Sequence, residues 1–73
     1  MTLYGVILFH TTSSAMRAEK LLIKEGCNIK LIPTPREFSS DCGIALRFDW
    51  GEYKRVKSVL DAARVEIDTM RQI

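Results

Sequence analysis

Residues Tyr4 to Phe9 read Tyr-Gly-Val-Ile-Leu-Phe, an unbroken apolar run of strand length. Side chains alternate between the two faces of a strand, so a run apolar at every position presents hydrophobic groups both ways. Such a strand belongs in the middle of a sheet whose two faces are both covered. In a chain of 73 residues this leaves room for one small domain, spanning 1–73. A domain of this size buries only about 60% of the surface its unfolded chain exposes, so its stability is small.

The remaining elements follow from punctuation and periodicity. His10-Thr11-Thr12-Ser13-Ser14 breaks the strand and offers several helix N-caps. Ala15, Ala18, Leu21 and Leu22 then recur at helical spacing to about Glu25, with Gly26 suited to the C′ position and Cys27 to the hydrophobic contact after it. Residues 28–32 predict a second strand, ended by Pro33-Thr34-Pro35, and 44–48 a third. Asp49 and Glu52 have capping-box spacing ahead of a helix to about Ala63, with Val56, Val59, Leu60 and Ala63 inward. Residues 65–71 predict a weaker edge strand. The order βαββαβ predicts an α+β, ferredoxin-like fold: a four-stranded antiparallel sheet in the order 4-1-3-2 with both helices on one face. The helix-free face then needs a cover, and a homodimer contact is the expected one.

Bulk properties exclude several functions. Net charge is +2, with Lys and Arg interspersed among Asp and Glu. That is a solvated surface and not a nucleic-acid stripe. No apolar run approaches the roughly 20 residues that span a bilayer, and the start shows no signal-peptide pattern, so the cytoplasm is expected. Two cysteines and one histidine, without CxxC spacing, make neither a disulfide framework nor a zinc site. No metal and no cofactor is expected.

The chemistry concentrates in Arg36-Glu-Phe-Ser-Ser-Asp-Cys-Gly43. A thiol flanked by hydroxyls, charges and a glycine, in a loop long for its scaffold, differs from a cysteine embedded in an apolar pattern. In the expected topology the third strand starts beside the end of the first. Cys42 and Gly43 then approach His10 and the amino end of the first helix, whose free N–H groups favour anions and lower thiol pKa values. Cys42 is the candidate nucleophile and His10 its candidate proton acceptor. Arg36, Thr12, Ser13, Ser39 and Ser40 are candidates to hold an anionic or polar group, and Gly43 to admit a close approach. Each has a plainer reading. The Thr/Ser cluster is a helix cap, His10 a turn residue, Arg36 a solvated charge and Cys42 a small residue opening a strand. Asp41 opposes activation, since an adjacent carboxylate raises a thiol pKa. Cys27 reads as structural.

The stretch Leu31-Ile-Pro-Thr-Pro-Arg-Glu-Phe-Ser-Ser-Asp-Cys-Gly-Ile-Ala-Leu-Arg-Phe48, with Phe9-His10-Thr11-Thr12 and Ala18-Glu19-Lys20-Leu21-Leu22, resembles the selenium/sulfur carrier protein-like family of small prokaryotic domains. The resemblance implies a carrier, not a stand-alone enzyme. Cys42 would accept sulfur or selenium as a persulfide or perselenide from a donor such as a cysteine desulfurase and pass it to an acceptor protein. Two other classes remain open on the residues. One is a small-molecule-sensing or interaction module on a ferredoxin-like scaffold. The other is RNA binding, disfavoured because Ile44 and Leu46 occupy the third-strand places where stacking aromatics are wanted.

Overall fold

The computed structural model describes residues 3–38 and 43–73; Met1, Thr2 and residues 39–42 lie outside the described residues. Strand β1 (Tyr4–Leu8) leads into helix α1 (Thr12–Lys24), then strands β2 (Ile29–Pro33) and β3 (Ile44–Asp49), helix α2 (Tyr53–Ala62) and strand β4 (Thr69–Gln72). Every pairing is antiparallel, in the order β2-β3-β1-β4, which is 4-1-3-2 read from the β4 edge. Among the described residues no helix is long and apolar enough to cross a membrane.

Strand alternation divides the core in two. Ile7, Phe9, Leu46 and Phe48 face Ala15, Ala18 and Leu22 of α1 and Val56 and Leu60 of α2, so both helices cover one side of the sheet. Val6, Leu8 and Ala45 form a second buried cluster on the other side. That side was expected to need a second copy of the chain. At its centre it is covered from within instead: Phe38 and Ile32 pack against these three residues, and the Arg71 guanidinium lies 5.4 Å from the centre of the Phe38 ring. The chain after Pro33 turns back across the sheet, which local pattern does not reveal. Ile44 and Leu46 pack on the helix side. Contrary to expectation, Ile44 and Leu46 therefore do not occupy positions open to stacking bases: β3 presents Ala45 and Arg47 to the helix-free face.

Helix α1 starts where Thr11, in an extended conformation, accepts a hydrogen bond from the Ser14 backbone N–H at 3.2 Å. It ends in a Schellman motif. Gly26 takes φ 78°, its N–H bonds to the Ile23 carbonyl, and the Cys27 N–H reaches Leu22 at 2.9 Å. Cys27 is buried against the helix it closes, as its position after Gly26 suggests. Helix α2 ends in the same way with Arg64 at φ 56° and a bond from the Val65 N–H to the Leu60 carbonyl.

Two elements start differently from expectation. The Asp49/Glu52 capping box does not form: Asp49 makes no side-chain cap bond, and a 3-10 turn over Trp50–Glu52 precedes α2. Tertiary contacts hold this turn. The Trp50 N–H donates to the Leu3 carbonyl at 2.9 Å, and the Trp50 ring lies between Phe48 and Tyr53 with centroids 5.8 and 4.8 Å away. The last strand begins at Thr69 and not at Val65, because Val65 closes the end of α2 while Val65 and Ile67 pack into the core without ladder bonds.

The two helices cap each other. Arg17 of α1 donates to the Ala63 carbonyl at the end of α2 (3.0 Å), and Arg55 of α2 donates to the Glu25 carbonyl at the end of α1. A cation at a helix C-terminus meets unsatisfied carbonyls and the negative end of the dipole. Arg17→Ala and Arg55→Ala are each expected to cost about 0.3–1 kcal/mol. Urea unfolding checks this, and the loss should shrink at high salt.

Candidate functional site

One end of the sheet collects the carboxyl ends of β1 and β2, the amino end of β3 and the first turn of α1. The β1–β3 register runs from Tyr4↔Asp49 to Leu8↔Ala45, which directs the chain after Leu8 toward the residues before Ile44. His10 is exposed there, one residue before the N-cap Thr11. Gly43 is exposed just before β3, and a methyl group added to it would meet none of the described residues within 4 Å. Its carbonyl accepts the Thr34 N–H at 3.1 Å, which ties the two ends of the 34–43 loop together. Inside that loop the Phe38 N–H bonds to the Pro35 carbonyl at 3.0 Å, closing a turn with Arg36 exposed at its centre.

Of the residues singled out in the sequence, the structure brings His10, Thr12, Ser13 and Gly43 to this end of the fold, with Arg36 on the turn leaving it. The capping role in the Thr/Ser cluster belongs to Thr11 with Ser14, whose hydroxyls lie 3.1 Å apart. Thr12 and Ser13 are exposed in the first turn of α1. Cys42, Ser39 and Ser40 lie outside the described residues. Among the described residues no three His, Cys, Asp or Glu side chains gather to hold a metal ion.

Phe38 is the residue that sequence reasoning passed over. It lay in plain view as the one aromatic in a polar loop, four positions before Cys42. Its packing places Phe38 itself on the helix-free side of the sheet.

The other thiol occupies a contrasting environment. Cys27 is 6% exposed and packs in the helix-side core. Burial pushes its pKa up. Arg55 pulls the other way, while the neighbouring Glu52 carboxylate adds to the rise. A thiol held neutral is a poor nucleophile. The folded value lies above the unfolded one, so its stabilising effect is complete below the ordinary thiol pKa of about 8.5 and is lost as pH rises through the folded value. The protein is therefore expected to lose stability above about pH 9, less so in Cys27→Ala. In Cys42→Ser, the remaining thiol should react with a disulfide reagent at pH 8 only on the timescale of opening. Denaturation midpoints against pH and reagent kinetics check both.

The family model described as "Putative Se/S carrier protein-like" matches residues 4–71. No curated protein and no solved structure was found to match the chain. The match runs from the first strand to the last and includes the block from Arg36 to Gly43. The chain therefore belongs to the Se/S carrier protein-like family.

Proposed function

We propose that this protein carries sulfur or selenium on Cys42 and passes it between partner proteins. The observation that carries the reading is the family match across residues 4–71. The architecture around the loop supports it. The loop ends are tied by the Thr34–Gly43 bond, at the sheet end that also holds exposed His10 and the first turn of α1. A helix start offers N–H groups to an anion, and a terminal chalcogen is anionic near neutral pH. His10 would take the thiol proton. Arg36, Thr12, Ser13, Ser39 and Ser40 would hold the charged end, and the described residues leave space open beside Gly43. The burial of Cys27 supports assigning the cargo to Cys42.

The transfer needs no outside oxidant. The Cys42 thiolate attacks the terminal sulfur of a donor persulfide. A new S–S bond forms at Cys42, the donor's S–S bond breaks, and the donor cysteine leaves as a thiolate. A perselenide follows the same steps. The donor fits a cysteine desulfurase, and the acceptor is a second protein.

Incubation with a cysteine desulfurase and cysteine, followed by intact mass, tests this. The protein is expected to gain one sulfur atom, to lose that gain in Cys42→Ser and to keep it in Cys27→Ala. No gain while a control carrier is loaded, or a gain that survives Cys42→Ser, would overturn the assignment. An interaction module without cargo would instead keep its full function in Cys42→Ser.

A further inference from the structure

The helix-free face of the sheet carries a row of cations. Register places Lys30 of β2 beside Arg47 of β3, Arg47 beside Val6 of β1, and Val6 beside Arg71 of β4. All four side chains share one face, because directly opposed residues in an antiparallel ladder point the same way. Lys30 and Arg71 are exposed and Arg47 is half-buried. None of the three forms an ion pair among the described residues, where the one salt bridge is Lys57–Asp61 on α2. Asp49 is the single acid that the strands place on this face, and it too is half-buried, while the exposed Glu37 and Asp68 border Arg71 at the β4 edge.

We infer that this face docks an acidic patch of a partner protein, with Lys30, Arg47 and Arg71 as its charged contacts. The partner's role as donor or acceptor rests on the carrier reading; the surface itself rests on the row. Three strand spacings of about 4.8 Å set Lys30 and Arg71 roughly 14 Å apart at the backbone. That is too wide for one small anion and suits carboxylates spread over a protein surface. A second copy of the chain is disfavoured, since a two-fold contact would oppose the row to itself. A nucleic acid would need open aromatic faces for its bases. Here the Arg47 guanidinium sits 4.4 Å over the Tyr4 ring, and Phe38 is pressed on the sheet with Arg71 beside it. The Phe38 anchor also brings the loop that precedes Cys42 across this same face. A partner seated on the row would therefore meet Phe38, four positions before Cys42 in the chain.

The test titrates the labelled full chain with hexaglutamate and, separately, with a hexanucleotide RNA, following amide shifts. Hexaglutamate is expected to move Lys30, Arg47 and Arg71 and their strand neighbours, and to lose at least tenfold in affinity in 0.5 M salt. Lys30→Glu with Arg71→Glu, both at exposed positions, should weaken binding at least tenfold, whereas Lys54→Glu on α2 should not. Shifts confined to the helices, indifference to the double variant, tighter RNA binding, or sedimentation as a dimer that the double variant alters would each overturn the proposal. Loading Cys42 from glutathione persulfide, a donor that needs no docking, tests the carrier reading apart. Normal loading in the double variant with slowed transfer from a loaded desulfurase supports both. Failed loading with intact hexaglutamate binding removes the carrier reading and leaves the surface.

Discussion

Phe48→Ala is expected to cost about 3–5 kcal/mol, the usual range for deleting a fully buried phenylalanine. Phe48 is 1% exposed and sits on β3 opposite Gly5 and Ile29. It belongs to the cluster joining both helices to the sheet, and its ring stacks on Trp50. Neighbours on two strands and the 3-10 turn cannot close around the gap without moving backbone. At about 0.05–0.15 kcal/mol per residue, a domain of this length holds roughly 4–11 kcal/mol in all. The single truncation therefore removes a large share of the stability. Urea unfolding should show a lower midpoint with an unchanged slope, and a loss below about 1 kcal/mol would mean that the ring is not a principal core group.

Gly5→Ala is expected to cost about 1–3 kcal/mol from the opposite cause, an atom too many. A methyl group at Gly5 would fall 2.6 Å from Trp50 Cε3 and overlap the Phe48 ring. Neither ring can retreat freely. Phe48 is enclosed, and the Trp50 backbone is held to Leu3 by its N–H bond. Glycine in a central strand normally weakens it. Here it makes the floor on which two aromatic rings lie. The two substitutions are expected to couple, because Phe48→Ala vacates space for the methyl group. The double variant should fall short of the summed losses by about 0.5–3 kcal/mol. Simple additivity would show that close ring approach is not why position 5 is glycine.

Much of this fold was legible in the residues. The apolar run at Tyr4 is the inner strand β1, paired on both sides. Gly26 ends α1 as its freedom at positive φ suggests, and Cys27 tucks in behind it. Where the reading failed, the cause was a distant contact. A capping box at Asp49 gives way to a 3-10 turn held by Leu3 and by stacked rings. Val65 and Ile67 alternate like a strand but are drawn into the core at the end of α2. The residue types of the candidate site were visible at once, with Phe38 the exception, because a lone aromatic in a polar loop has no periodicity to declare its side.

The sequence alone therefore determined the order of strands and helices, the strand that lies inside and, through the match across residues 4–71, the family. These depend on side-chain spacing and on turn residues acting within a few positions, where chain connectivity already brings the groups together. Only the tertiary structure decided what covers the second face, which side of the sheet Phe38 packs on, and that Lys30, Arg47 and Arg71 form one row. Those outcomes depend on strand register and on contacts across large sequence separations. One residue of slip would send every side chain of a strand to the opposite face, so no local pattern can encode them.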